Sequence, residues 1–526
     1  MSVPPHMQRR RRRPVVAVVA VVAAAGCVLL AACGSGRSIL EAGNEPRPTT
    51  PTTTPATTVP GQTTVPGQTT VPAPTTAPPT TLPRPIDSLP PCDMAALDTA
   101  AADGPVEVLF WHGMANELGR ELERIVGEFN ASQDRVEVRL EFQGGYEQTI
   151  DKYLQSDTDN RPDLVQMPEY TVQLMVDTQS NVPVQACMED IGYDAADILP
   201  SALRAYATEG IQWAMPFNLS NPVLYYNKQV FRDAGLDPEA PPRTLDELAE
   251  AGRTIQSSGA AAYGIALDSA PDGGGGWFLE QWLAKEGEFY SDNDNGRAAP
   301  STRVLFDGPT GVSLLTALRD VVVNGGGVYV GENPGGTDTF LKLADASAPA
   351  SMTIATSAAL GAVLQFVEGG IIPGIGVDDI GIAPMPSPTG APGTLVGGAS
   401  LWITAGRGDA EAAAAFEFVQ YLVSAEVQSQ WAAATGYVPV NTAAPGLEPL
   451  LGVYATDPRF RVAYDQVAET PDLPTSDGPV LGPLREVRVT AAGAMAQILN
   501  GADPATALAD AASLANALIA DYNARR

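Results

Sequence analysis

The stretch WAMPFNLSNPVLYYNK, residues 213–228, decides how this chain is read. An apolar run interrupted by Pro216 turns polar at Asn218, Ser220 and Asn221, then resumes as Val-Leu-Tyr-Tyr. Two buried strands with a short polar break between them put a hydroxyl and an amide at a strand end. In a two-lobed α/β protein, ligand contacts gather at such ends. Taken alone, the stretch reads more simply as strand, turn and strand in a core, so its meaning depends on the surrounding chain.

Upstream, residues 106–111 (VEVLFW) form a strand after a Gly-Pro break. Leu118, Leu122, Ile125, Val126 and Phe129 recur at helical spacing and predict a helix over residues 116–131. Residues 136–142 alternate apolar and polar as a second strand, Gly144-Gly145 is a loop, and Tyr146 opens the next helix. Residues 163–167 form a buried strand ending at Pro168-Glu169. Strand, helix, strand, helix, strand describes a parallel α/β lobe. Downstream the pattern is more helical. Thr244 caps a helix with Glu247 completing a capping box, and residues 273–276 are a flexible glycine loop leading into Trp277. Further helices are expected at 311–323, from Ser357, and at 410–424, 427–435, 484–499 and 504–522, with strands at 351–355 and 399–404.

The chain's beginning reads as a targeting segment. Residues 9–13 are all Arg, residues 15–32 are almost wholly apolar, and Leu30-Ala31-Ala32-Cys33 reads as a lipobox. Residues 1–32 are then a lipoprotein signal and Cys33 the lipidated terminus. Cys27 is the weaker cleavage candidate, and an uncleaved anchor is the alternative, since ~18 apolar residues just span a bilayer. Either way the remainder works outside the cytoplasmic membrane. Residues 33–103 are expected to be a tether. Within it, residues 46–85 are nearly all Pro and Thr with TTVPGQ twice in succession, a composition that cannot bury a core. At ~3.1 Å per residue, ~40 residues of polyproline II reach on the order of 100 Å.

Some 420 residues follow Gly104, enough for two lobes with a core each. The formal charge of −30 becomes −35 once the five signal arginines are removed, and the acids are scattered. This argues against nucleic acid or anionic lipid as a partner of the general surface. Cys92 and Cys187 remain beyond the lipobox, and an oxidising compartment makes a disulfide their default reading, two free buried thiols the alternative. His112 is the one histidine beyond the signal, which disfavours a histidine triad or multi-histidine metal site. Residues 292–296 (DNDNG) fail the calcium-loop spacing. No cofactor, metal or enzymatic activity is expected. A surface glycosidase or phosphodiesterase and a purely structural surface protein are the rival classes.

Several landmarks occur in a telling order: FWHGM (110–114), EFNASQ (128–133), MPFNLSNPVLYYNK (215–228) trailed by AGLDPEAPP (234–242), GGASLWI (397–403), TGYVPV (435–440) and EVRV (486–489). Together they resemble the sn-glycerol-3-phosphate-binding branch of the extracellular solute-binding proteins of ABC importers. The resemblance spans about four-fifths of the chain. It implies a two-lobed α/β periplasmic-binding-protein-like fold of type II, with lobe one at 104–218 and 351–424 and lobe two at 219–350 and 425–526, hinged around a ligand. It implies a monomer that serves a membrane permease with cytoplasmic ATPases. Carried over residue by residue, it casts Tyr146 and Tyr437 as phenols on a phosphate, Glu169 as the acid on glycerol hydroxyls, and Ser220 as a hydroxyl contact. Thr356 or Ser357 supplies another hydroxyl, Gly398 a closely approached N–H, Trp277 an aromatic wall, and Arg488 the phosphate's cation, while Arg485 is a surface ion pair. One departure stands out. Gly274 occupies the place of a tryptophan three residues before Trp277, which predicts a cleft opened for a glycerophosphodiester such as glycerophosphocholine. A sugar-binding protein of the same fold is the alternative within the class.

Overall fold

The structure, a computed structural model, describes residues 89–333, 336–370 and 375–526. The signal, Cys33 and the Pro/Thr tract up to residue 88 lie outside the described residues.

In chain order the strands are β1 (Val106–His112), β2 (Val136–Phe142), β3 (Leu164–Pro168), β4 (Asn181–Val182), the hairpin β5 (Ala207–Thr208) and β6 (Ile211–Gln212), β7 (Met215–Ser220), β8 (Pro222–Asn227), β9 (Tyr263–Leu267), β10 (Val328–Tyr329), β11 (Ala350–Thr356), β12 (Ile380–Pro384) and β13 (Gly397–Thr404). One sheet runs β2-β1-β3-β13-β4 with β7 beside β13; the other runs β10-β9-β11-β8-β12. β1 is parallel to β2 and β3, as the strand-helix alternation demands, whereas β13 enters antiparallel to β3 and β7. The Asn116–Ser132 helix buries Leu122, Ile125, Val126 and Phe129, the predicted apolar stripe. Each sheet anchors its own large core.

β7 and β8 are separated by Asn221 alone, yet they belong to different sheets. The deciding stretch is therefore no hairpin but the first passage of the chain from lobe one to lobe two. A second passage links β12 to β13, and a third follows the Val462–Ala468 helix, whose Ala463 and Val467 lie in the first core while Leu481 and Leu484 lie in the second.

These passages correct the expected boundaries. β11 and β12 pair with β8 and β9, so the strands within 351–384 belong to lobe two. The Ala425–Thr435 helix packs on the Asn116–Ser132 helix with Val427 and Trp431 in the first core, so it belongs to lobe one. Pairing is decided between segments far apart in sequence, and a buried strand's pattern does not say which sheet it joins. The folded part also starts before Gly104. The Ala95–Ala100 helix buries Leu97 completely against the Asp409–Leu422 helix, and Cys92 is bonded to Cys187 with Cα atoms 4.8 Å apart.

Candidate ligand-binding site

The lobes meet around one guanidinium. Arg488 lies in the second turn of the Leu484–Leu499 helix of lobe two. Its Nε and Nη2 donate to Glu280 Oε1 and Oε2, both at 2.7 Å, a bidentate pair. Its Nη1 reaches across to lobe one and donates to Glu169 Oε1 at 3.1 Å. The Tyr170 ring lies 5.0 Å from the guanidinium carbon. Arg488 and Glu280 are each 3% exposed. Burial alone would lower the arginine's pKa, but the two carboxylates outweigh it and hold the charge firmly. Burial raises the Glu169 carboxyl above the usual range; Arg488 pulls it back and Glu280 pushes it further up.

Arg485, one turn earlier, is an ion pair as expected, but one that spans the lobes: it pairs with Glu147 and, at 3.0 Å, with Asp151 on the Tyr146–Gln155 helix. Tyr170 donates its hydroxyl to the same Glu147 at 2.6 Å.

On the lobe-one side, Tyr146 opens its helix behind Gly144 and Gly145, whose φ values of 99° and 146° suit glycine. Gly113 must also be bare: a Cβ there would sit 3.0 Å from the Tyr146 ring. The phenol oxygen accepts from Asn218 Nδ2 at 2.9 Å and is hydrogen-bonded to Tyr437. Tyr437 stacks on Trp431, which stacks on Phe217 of β7. The two phenols expected to act together are thus side by side.

Trp277 begins the Trp277–Lys285 helix of lobe two and its indole lies against Gly397 of lobe one; a Cβ at Gly397 would fall 2.2 Å from its ring. Its Nε1 is buried without a partner, as are the hydroxyls of Tyr206, which feels the charge of Glu169, and Tyr290, which feels those of Glu280 and Arg488. Buried donors left unpaired are costly unless acceptors are supplied to them.

Ser220 ends β7 opposite Gly397 and is buried. The Ser357 hydroxyl accepts from the Asn221 amide at 3.2 Å, and the Thr356 hydroxyl accepts from the Ala358 amide at 3.3 Å. Both therefore brace the first passage and the turn after β11. Gly398 has a reason of its own: at φ 97° a Cβ would lie 1.9 Å from the Asn218 carbonyl oxygen. The glycine loop differs from expectation. It is buried and knotted on Asp268, whose Oδ1 accepts from the amides of Ala270 and Gly274 at 3.0 and 2.9 Å and whose Oδ2 accepts from Asn333. A Cβ at Gly274 would lie 2.2 Å from the Asp268 carbonyl oxygen. Any side chain there would run into the loop itself, so the position does not mark space opened in the cleft.

Glu280, Tyr170, Tyr206 and Tyr290 are site residues that the sequence reading missed. Glu280 did carry a signal: it is the sole charged residue in the largely apolar run WFLEQWL, and a buried acid implies a partner. Among the described residues no cluster of His, Cys, Asp and Glu is fit to hold a metal, and no helix is long and apolar enough to cross a membrane.

Two lobes joined by three passages and closed on a charged, donor-rich cluster define a solute-binding protein of type II. Residues 124–461 match the model of the bacterial extracellular solute-binding proteins, and the chain belongs to that family, the substrate-binding components of ABC importers. Among its relatives is the sn-glycerol-3-phosphate-binding periplasmic protein UgpB of Pectobacterium atrosepticum, 30% identical over 439 residues, 81% of this chain and 94% of the relative. Solved structures of like fold include UgpB from Mycobacterium tuberculosis in complex with glycerophosphocholine (22% identity, TM-score 0.64, 80% of this chain and all of that one). The cyclic alpha-maltosyl-1,6-maltose binding protein from Arthrobacter globiformis is another (23%, TM-score 0.65, 79% and 99%).

Proposed function

We propose that this protein captures a phosphate-bearing glycerol compound, a glycerophosphodiester of the glycerophosphocholine type ahead of bare sn-glycerol 3-phosphate, and hands it to the permease. The observation that carries this is the clamped guanidinium. Glu280 holds two of its nitrogens along one edge and leaves Nη1 aimed at the lobe interface, where Glu169 now holds it. A ligand phosphate entering there replaces Glu169 as the acceptor of the Nη1 hydrogen bond and draws on the unpaired donors of Trp277, Tyr206 and Tyr290. Glu169, released, faces the glycerol hydroxyls. The rings of Tyr170 and Trp277, together with the site's excess of carboxylates, suit a quaternary ammonium head group. No bond is made or broken; ligand favours the closed form, which docks on the membrane subunits.

The protein works as a monomer held at the outer face of the cell membrane by lipid on Cys33, a reading supported by the Leu30–Cys33 lipobox. Incorporation of labelled palmitate, lost in Cys33→Ser, checks the anchor. Calorimetric titration with glycerophosphocholine, glycerol 3-phosphate and maltose tests the ligand. Phosphodiester binding with no maltose response supports the proposal, and binding of maltose alone overturns it. That second reading has its own basis. Arg488 is already neutralised by Glu280, and a carboxylate with several hydroxyl and indole donors also suits a neutral sugar.

A further inference from the structure

A chain of buried amides runs through lobe one behind Tyr146, and its polarity can be read from one end to the other. The Gly113 amide can only donate. It meets Gln166 Oε1 at 2.9 Å, which fixes the Gln166 carboxamide with its NH2 outward. Gln166 Nε2 then donates to Asn218 Oδ1 at 2.7 Å, which fixes Asn218 in turn. Asn218 Nδ2 donates to the Tyr146 phenol oxygen at 2.9 Å. Gln166 and Asn218 are both 0% exposed, so solvent does not relax either orientation. An oxygen that accepts from behind sends its one proton forward.

We propose that Gln166 and Asn218 are positioning residues of the ligand site. They form a one-way relay, anchored on the Gly113 amide, that makes Tyr146 a proton donor toward Tyr437 and the cleft and so restricts the ligand atom seated by this phenol pair to an acceptor. The proposal rests on the ligand-binding reading above and adds a rule for it: the phosphate or hydroxyl-oxygen end sits at Tyr146, and the cationic end does not. The fold invests in the relay's anchor. Gly113 is bare so that the Tyr146 ring can lie against it, and it lies just beyond the end of β1, beside β3, which carries Gln166. A backbone donor cannot change its sense, so neither can the three side chains in line with it.

Gln166→Glu reverses the relay without touching ligand. One carboxylate oxygen still accepts from Gly113; the other, ionised, accepts from Asn218, whose amide must flip and present its oxygen to Tyr146. The phenol then donates inward. When the introduced carboxyl is protonated it donates to Asn218 and the native polarity returns. The variant's affinity is expected to fall roughly ten- to hundredfold on the alkaline side of that titration, the worth of one donor turned away from an anion, and to recover on acidification. The parent lacks this step. Gln166→Met, which breaks the relay without reversing it, shows a smaller loss that does not vary with pH. The other groups facing the relay are His112, which burial lowers to about 4 and keeps neutral, and Glu169, Tyr146 and Tyr437, which parent and variants share. Asn218→Asp imposes the same reversal one residue later and serves if Gln166→Glu does not fold.

Titrations of parent and variants with glycerophosphocholine, glycerol 3-phosphate and maltose from pH 5 to 9, with unfolding midpoints alongside, decide the matter. A folded Gln166→Glu protein with parental affinity at every pH, or with a loss that acid does not restore, overturns the relay. A parent that binds only maltose overturns the phosphate reading, and the relay is then judged on maltose oxygens. A parent that binds none of the three overturns both.

Discussion

Glu280 and Arg488 share two hydrogen bonds out of contact with water, and removing one partner strands the other. Glu280→Ala is expected to destabilise the protein by about 3–5 kcal/mol, read from denaturant unfolding; a loss under about 1 kcal/mol would mean that solvent reaches the guanidinium. Glu169→Gln is gentler and changes the pH response. Burial raises the Glu169 carboxyl in the folded state, so the fold binds this proton more tightly than the unfolded chain does. Its contribution to stability is then largest in mild acid and falls as pH rises from the ordinary glutamate range through the raised value. Melting temperatures between pH 5 and 8 should show that fall in the parent and a flatter profile in Glu169→Gln. The motifs made Arg488, Glu169, Tyr146 and Tyr437 legible as a set. They did not reveal that Arg488 is already claimed, because its main partner lies 208 residues away.

Elements built from local signals were read well. The Leu484–Leu499 helix has the expected bounds, and the Thr244–Glu247 capping box is present. Thr244→Ala should cost about 1 kcal/mol of stability in denaturant unfolding, because both of its capping bonds are local. β9 and β12 went unread: YGIAL and IGIAP are short apolar runs that identify themselves only when paired. The glycine loop was legible as a loop but not as a buried one, since its order comes from Asp268. Gly397 is the contact point of the site at this scale, for its bare Cα lets the Trp277 helix of one lobe seat on β13 of the other. Gly397→Ala should keep both lobes folded by circular dichroism yet weaken ligand binding, because the indole must back away. Unaltered affinity would show that Trp277 does not need that seat.

At the scale of the whole molecule, lobe closure is held by ion pairs and hydroxyl bonds: Arg485 on Glu147 and Asp151, Arg488 on Glu169, and Tyr522 and Arg526 on Asp177. The Arg485 pairs are partly exposed and worth roughly 1 kcal/mol or less each. Their loss in Arg485→Ala should shift the ligand-free ensemble a few-fold toward open lobes. Small-angle scattering would register this as a larger radius of gyration that ligand reverses. The Cys92–Cys187 bond closes a loop of 95 residues within lobe one, worth roughly 4–5 kcal/mol in the chain-entropy picture, so reduction should lower that lobe's melting point first.

The three passages carry a last implication. Two bodies laced by three threads cannot be parted by cutting one. A protease that nicks the segment between β12 and β13 would leave two fragments that each still cross between the lobes, with β13 of one held in its sheet between strands of the other. The nicked protein should migrate as a single particle on a sizing column and as two pieces only in detergent. The same lacing makes either lobe a poor candidate for expression as one continuous segment: neither is contiguous, and each is completed by chain that has already visited the other.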